Sequence, residues 1–292
     1  MIRKNKRFIE PSIFLSPSLL FLLFFLLFPI IFLIIISFFE WSGISRNVFK
    51  NFVGLLNYKE MIFDSLFWKS LINTIFYTIG VVFIQNAVAL FIAIIIFMGN
   101  FKNSSFIRGI IFFPVLMSSI LVGLIWRRMF LSDGIVNEFL ILLGLQPYNW
   151  LSAPITPMLI IILASIWWGT GFNFILIFAG LQNINMELIE ASYIDGASFW
   201  KAIMKIIIPL LKPIIIINII LNTIGGFKVF DIVYVMTKGG PAHQTEVLIS
   251  YIYYLSFSPY SPDKMGYAAA ISLFLTIIVS LISVFRIRMI KT

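Results

Sequence analysis

Long apolar segments alternate with shorter polar ones along this chain of 292 residues. Runs such as FLLFFLLFPIIFLIIIS lack the two-residue alternation of membrane β-strands and therefore favour helices. A helix of about 20 mainly apolar residues can cross a bilayer, where each backbone group needs a partner within its own segment. The pattern predicts an all-α polytopic membrane protein with one membrane domain over residues 1–292. Its six predicted spans are 12–39, 71–98, 106–130, 155–180, 206–236 and 266–286.

Composition supports a membrane protein, because 61% of the residues are hydrophobic and only 11% are charged. A water-soluble domain has roughly a quarter of its residues charged. The net charge of +9 could indicate nucleic acid, but in a membrane chain basic residues mark the cytoplasmic side. With six spans both tails lie on one side, and that side carries more than half of the 21 lysines and arginines. We therefore expect cytoplasmic N- and C-termini and no nucleic-acid partner.

The sequence shows no catalytic or cofactor motif. It has no cysteine, and its single histidine, His243, follows a GGP turn and is interpreted as a surface residue. Acidic residues and His243 do not fall at metal-ligand spacings, and no G-x-x-x-x-G-K-[ST] loop is present. We predict no catalytic residue, no bound metal and no bound cofactor, so any ATP is used by another subunit.

A polar loop at 181–205 separates the fourth and fifth predicted spans. It contains the string EASYIDGAS, with acidic side chains at Glu187, Glu190 and Asp195. Glycine permits a backbone reversal, so the string predicts a short helix that ends at Gly196 and a second helix that begins near Ser198. The residues alone leave two interpretations open, a solvated connection and a docking surface for another protein.

The sequence of this loop resembles the EAA loop of permease subunits from binding-protein-dependent ABC importers. Pro209 follows Gly196 by thirteen residues as in that family, and Ser192 replaces the usual second alanine. FVGLLNY near residue 52, WWGTGFN in span four and FDIVYVMTKGGP after it extend the resemblance over nearly the whole chain. The last string is similar to the carbohydrate branch, in particular to the first permease of the maltose and glycerol-phosphate types.

The resemblance implies a type I importer permease with six transmembrane helices in a bacterial inner membrane. It implies a heterodimer with a second permease, two ATPase subunits that use ATP and Mg, and an extracytoplasmic solute-binding protein. The chain would move a sugar or oligosaccharide by alternating access. In the loop, the resemblance assigns ATPase coupling to Glu190, Ala191, Ser192, Asp195, Gly196 and Ala197.

Spans four and five are mainly apolar, but each contains a stretch of polar and aromatic residues. Sugars are held by aromatic stacking and a few placed hydrogen bonds, although ordinary helix packing explains such residues equally well. Lys228 and Asp231, at i and i+3, are predicted to face one another as a polar wall or an ion pair. The resemblance implies a substrate path at Ser165, Trp168, Gly169, Phe172, Asn222, Gly225, Gly226 and Val229. As charges within a span, Lys228 and Asp231 are added to this path as its predicted polar wall.

Three alternatives remain beside sugar import. A related polar solute, such as glycerol phosphate or a polyol, fits the same residues. A secondary transporter would need ion-coupling carboxylates within the membrane, and only Asp231 is a candidate. A membrane-embedded enzyme would need converging acids or histidines, which the sequence does not show.

Overall fold

The computed structural model describes residues 14–43, 47–99, 101–258 and 264–290, with side chains as far as residue 284. Within these residues the regular structure is helical, apart from one isolated bridge between Phe39 and Phe52. The helices are α1 Phe14–Ile36, α2 Leu56–Phe63, α3 Ser65–Met98, α4 Ser104–Phe112, α5 Ser119–Met129, α6 Ile135–Leu142, α7 Thr156–Gln182, α8 Met186–Ile194, α9 Phe199–Phe227, α10 Asp231–Thr237, α11 Leu248–Phe257 and α12 Met265–Ile290.

Five of the described helices are long and apolar enough to cross a membrane, and a bent pair supplies a sixth. The five are α1, α3, α7, α9 and α12. They overlap the predicted spans with shifted ends. At its start α3 is shifted by six residues, since it begins at Ser65 instead of residue 71. Most of the DSLFWKSL segment, which precedes the predicted second span, forms the first turns of α3.

The third predicted span, 106–130, is a pair of helices bent by 94°. After α4, Phe113–Leu116 forms a short 3-10 turn that contains Pro114, whose ring cannot donate a backbone hydrogen bond. Met117 is extended, and the Ser118 hydroxyl then accepts a hydrogen bond from the Leu121 backbone at 3.3 Å. This N-cap starts α5 in a new direction. The apolar stretch is thus divided by a complete break after Pro114.

The fifth predicted span, 206–236, was expected to be one interrupted helix. Instead α9 ends at Phe227, and α10 begins at Asp231 after a short non-helical stretch. Two adjacent glycines, Gly225 and Gly226, precede the end of α9, and glycine is the weakest helix former apart from proline. At its other end α9 starts at Phe199, seven residues earlier than predicted, and passes through a π-helical turn at Ile203–Ile207.

Among the described residues, one compact unit comprises 14–43, 47–64, 252–258 and 264–276. The buried Asn57 amide donates to the backbone carbonyls of Ser37 at 2.8 Å and Phe39 at 3.1 Å, and so fixes the turn that leaves α1. The Tyr267 hydroxyl donates to Asp64 at 2.6 Å. These bonds join segments that are distant in sequence within this unit.

The second unit comprises the described residues of 65–251 and 277–290, and its core is the packing of α3 against α7 and α9. One apolar cluster surrounds Ile161 and Val233, and another surrounds Phe174 and Ile207. Small residues bring the helices close together. A methyl group added to Gly226 of α9 would lie 2.7 Å from the Thr78 hydroxyl of α3, so only glycine permits this approach. The packing positions the cavity and the loop described next.

Candidate functional site

A cavity of about 460 Å³ opens within the second unit, between α3, α7, the end of α9 and the start of α10. This volume lies in the usual range of sites for small solutes. Every residue that the sequence assigned to a substrate path lines it, and these are Ser165, Trp168, Gly169, Phe172, Asn222, Gly225, Gly226, Lys228, Val229 and Asp231. Their geometry brings them together, and their role in transport stays a prediction.

Sequence reasoning missed the contribution of α3 to this cavity. Tyr77, Val81 and Gln85 all line it, at spacings of i, i+4 and i+8 that place them on one face of the helix. That periodicity was available in the sequence, but nothing local distinguishes a face that lines a cavity from one that packs. The other lining residues that were missed are Val115, Ser119, Leu221, Phe230 and Ile232.

Hydrogen bonds fix several aromatic and hydroxyl groups around the cavity. The Trp168 indole nitrogen donates to the Met117 carbonyl at 3.0 Å, across to the break between α4 and α5. The Tyr77 hydroxyl donates to Ser165 Oγ at 2.8 Å, and Ser165 donates to the Ile161 carbonyl at 2.8 Å. These polar atoms therefore already have partners. Trp168 offers the cavity its ring rather than its N–H.

Two amide side chains at the cavity have no such partner. Gln85 is only 4% exposed, and its side chain makes no hydrogen bond with any residue that the structure describes. The Nδ2 atom of Asn222 is likewise buried without a partner. Buried polar groups in native structures are nearly always bonded, so each exception calls for an explanation.

Lys228 and Asp231 do not form the expected pair. They lie on opposite sides of the break between α9 and α10, so the i, i+3 geometry of a continuous helix does not apply. Among the described residues Asp231 instead accepts a hydrogen bond from the Ser119 hydroxyl at 2.9 Å, and Lys228 has no ion pair. Both side chains are exposed. The cavity therefore carries one separate cation and one carboxylate.

The loop between α7 and α9 has the helix–turn–helix form that the sequence predicts. The Asn185 side chain caps α8 by accepting from the Glu187 backbone at 3.0 Å. At the end of α8, Gly196 has a left-handed φ of 79°, and its N–H bonds to the Tyr193 carbonyl at 3.0 Å. The Ala197 N–H bonds to the Ser192 carbonyl at 2.9 Å, which completes a Schellman motif. Ser198 then caps α9.

The outward surface of this loop is both acidic and apolar. Glu190, Asp195 and Gly196 are exposed, as is Ala191, while Ser192 is buried and Ala197 is half-buried. Ile194 is 88% exposed and Trp200 is 64% exposed, which is unusual for large apolar side chains outside a lipid-facing helix. On the inward side Ile189 is buried in the cluster around Phe174. One face of the loop is thus packed against the helices, and the opposite face is exposed.

His243 is not simply a surface residue, because its Nδ1 lies 2.9 Å from a carboxylate oxygen of Glu246. Glu246 is only 3% exposed, and its other oxygen accepts from the Ser250 hydroxyl. The Asn73 amide donates to the Glu246 carbonyl at 2.9 Å, and this ties the turn to α3. No group of three or more potential metal ligands occurs among the described residues.

Comparison with known proteins identifies the class. Residues 85–291 match the family of binding-protein-dependent transport system inner membrane components. The chain is 36% identical to the trehalose/maltose transport system permease protein MalF of Thermococcus litoralis, over 82% of this chain and 81% of that protein. It is 35% identical to the lactose transport system permease protein LacF of Rhizobium radiobacter, over 82% and 80% of the two chains.

The chain therefore belongs to this family of inner membrane permease components. It is also 32% identical to the probable ABC transporter permease protein YurN of Bacillus subtilis, over 100% of this chain and 99% of that one. A chain in the crystal structure of a bacterial ABC transporter that imports the acidic polysaccharide alginate matches with a TM-score of 0.85, over 99% and 97% of the two chains. Its identity of 21% makes this likeness one of fold.

Proposed function

We propose that the chain is the permease subunit of an ATP-driven importer that carries a sugar or oligosaccharide into the cytoplasm by alternating access. The observation that carries this proposal is the cavity, where aromatic rings at Trp168 and Phe172 face the same space as unpartnered amides. Rings that stack on a sugar and amides that bond its hydroxyls are the chemistry that a carbohydrate needs. Relatives named for transport of trehalose, maltose and lactose support the substrate class.

The loop around α8 is the proposed docking surface for the ATPase. It combines exposed carboxylates at Glu190 and Asp195 with exposed apolar side chains, and a rigid Schellman turn holds their geometry. In this proposal ATP and Mg are bound by that ATPase and not by this chain. The ATPase moves α8, and short turns connect α8 to α7 and α9, which both line the cavity.

Further partners and the orientation follow from the same proposal. The tails and the α8 loop face the cytoplasm, because their side carries most of the basic residues. A second, different permease completes the translocation path, and a solute-binding protein delivers the solute from outside. A reconstituted complex that lacks a second permease should show no sugar-stimulated ATP hydrolysis. Robust stimulation without it would contradict the heterodimer.

Uptake by a strain that lacks this gene tests the main proposal. The panel contains radiolabelled trehalose, maltose, lactose, arabinotriose and glycerol phosphate, with the intact gene returned on a plasmid as the control. We expect the deletion to abolish uptake of at least one of the neutral sugars, and the plasmid to restore it. Unchanged uptake of every sugar in the deletion strain would refute carbohydrate import.

Glycerol phosphate is the second candidate, and one observation favours it. Lys228 lines the cavity without an ion pair among the described residues, so it is available to an anionic solute. In this case the deletion strain loses glycerol phosphate uptake and keeps sugar uptake. Substitution of Lys228 by Met should then lower that uptake much more strongly than it lowers uptake of a neutral sugar.

A further inference from the structure

Gln85 of α3 is polar in a place where an apolar residue would cost less. It lies in the middle of an apolar helix, is 4% exposed, and makes no side-chain hydrogen bond within the described structure. The amide has no partner among the described residues, and its atoms face the cavity that Gln85 lines. A leucine would fill similar space without leaving a polar group to be satisfied. Packing therefore explains the volume of this side chain but not its chemistry.

The surroundings of Gln85 make room for its amide at the cavity wall. Gly169 of α7 lies opposite, and a methyl group there would come within 2.5 Å of Gln85 Nε2 and 3.0 Å of its Cδ. Only a glycine at 169 therefore leaves the amide in place. Tyr77 and Ser165, the neighbouring polar groups, are already bonded to one another at 2.8 Å. They do not compete for the Gln85 amide.

A second unpartnered amide faces the same space from another helix. Asn222 of α9 lines the cavity, and its Nδ2 atom is buried without a partner. An amide offers two N–H donors and one carbonyl acceptor, and a hydroxyl group both donates and accepts. Two neutral amides therefore suit a neutral solute with several hydroxyls. A phosphate would instead call for cationic donors.

We propose that Gln85 is a specificity-determining residue, whose amide hydrogen-bonds one hydroxyl of the transported sugar, and that Gly169 positions it. This inference rests on the proposed function, since it names a further contact of the same cavity. The free hydrogen-bonding capacity of the amide is used only when a solute is present. A solute that lacks the matching hydroxyl leaves the amide unbonded and is carried less well.

The first test replaces Gln85 by Leu, which keeps a similar volume and removes the polar atoms. The chain is expressed in the deletion strain, with its natural partner subunits, and uptake of radiolabelled trehalose, maltose and lactose is measured at equal membrane abundance. Loss of one hydrogen bond should lower uptake of the transported sugar roughly three- to tenfold. Ile84→Ala is the control, because Ile84 is the neighbouring residue, is half exposed and does not line the cavity.

A comparison of sugar analogues gives a readout that a structural role would not change. Each singly deoxygenated form of the transported sugar is compared with the parent. In the intact protein one form should be carried several-fold more slowly than the parent. In Gln85→Leu the same form and its parent should be carried equally, because the contact is missing in both cases. A defect of folding would lower all of them by one common factor.

A double substitution tests the part assigned to Gly169. Gly169→Ala alone should lower uptake about as much as Gln85→Leu, because the new methyl group displaces the amide. In a Gln85→Ala background the methyl group has room, and Gly169→Ala should add no further loss. An equal loss in both backgrounds would show that the methyl group acts directly on the cavity, and would overturn the role given to Gly169.

The outcomes separate this inference from the proposed function. Uptake that depends on the chain but is unchanged in Gln85→Leu overturns the inference and leaves sugar import standing. A parent-to-analogue ratio that stays the same in Gln85→Leu overturns it as well. If deletion of the gene impairs uptake of glycerol phosphate and of no sugar, both the carbohydrate proposal and this inference are wrong.

Discussion

The loop around α8 and the cavity differ in how they satisfy their polar groups. In the loop each change of direction is closed by local bonds, from the Asn185 cap to the Schellman turn at Gly196. At the cavity, Gln85 and Asn222 keep amide atoms without partners. The loop is thus a finished rigid surface whose binding capacity lies in exposed side chains. At the cavity the binding capacity lies in these unpartnered amides, between packed helices.

This contrast predicts different consequences when each region is altered. A rigid docking surface fails completely when its shape or charge is wrong, because the partner has no alternative contact. A cavity with several contacts loses them one at a time. The predictions that follow run from the largest expected effect to the smallest.

Glu190→Lys and Gly196→Pro should each abolish uptake while the chain still inserts into the membrane. A reversed charge in a desolvated interface costs several kcal/mol, and proline cannot adopt the φ of 79° at Gly196. Gly144→Pro is a matched control, since Gly144 also has a left-handed φ, of 76°, and has open space around it. Normal uptake and normal copurification of the ATPase in both loop variants would refute the docking role.

The double substitution Trp168→Ala, Phe172→Ala should lower uptake about tenfold or more and leave assembly and basal ATP hydrolysis intact. Each ring that stacks on a solute contributes on the order of 1 kcal/mol. Trp167→Ala is the control, because Trp167 is adjacent to Trp168, is about as exposed as Phe172 and packs against Trp126 instead of the cavity. Unchanged transport in the double variant would show that these two rings do not contribute to binding of the transported solute.

Gly226→Ala should destabilise the protein without preventing docking. The new methyl group would lie 2.7 Å from the Thr78 hydroxyl and 3.0 Å from its Cβ, and overpacking of this kind costs about 1–3 kcal/mol. A lower unfolding temperature of the purified complex is the measurement. Thr78→Ala should restore part of the loss. Gly225→Ala is the control, since nothing lies within 4 Å of the added methyl group, and an equal loss there would contradict the packing argument.

The same contrast explains which features could be predicted from the sequence. The turn at Gly196 and the cap at Ser198 follow from residues within one short string, so local rules sufficed. Pro114 marks an irregular position in the third span, but the angle of 94° also depends on the extended backbone at Met117, which no residue type in the segment predicts. Gln85 was missed because a polar residue in an apolar helix looks the same whether it faces a neighbour or a cavity.

The break before Asp231 was missed for a related reason. Lys228 and Asp231 are spaced as a helical pair, and that spacing favoured a continuous helix over the termination that the two glycines allow. The cavity residues of α7 and α9 were found only because their strings resemble a family. The grouping of residues on three separate helices is a property of tertiary packing, which a single sequence does not encode locally.

The two helices that flank the loop differ in stiffness. α7 runs unbroken for 27 residues, a rod of about 40 Å that ends beside α8 and carries Gly169 and Phe172 at its middle. α9 leaves the loop through a π-helical turn and contains Pro213 within its length, and both features weaken the ladder of backbone bonds. We therefore expect a displacement of α8 to be transmitted to the cavity more directly through α7 than through α9.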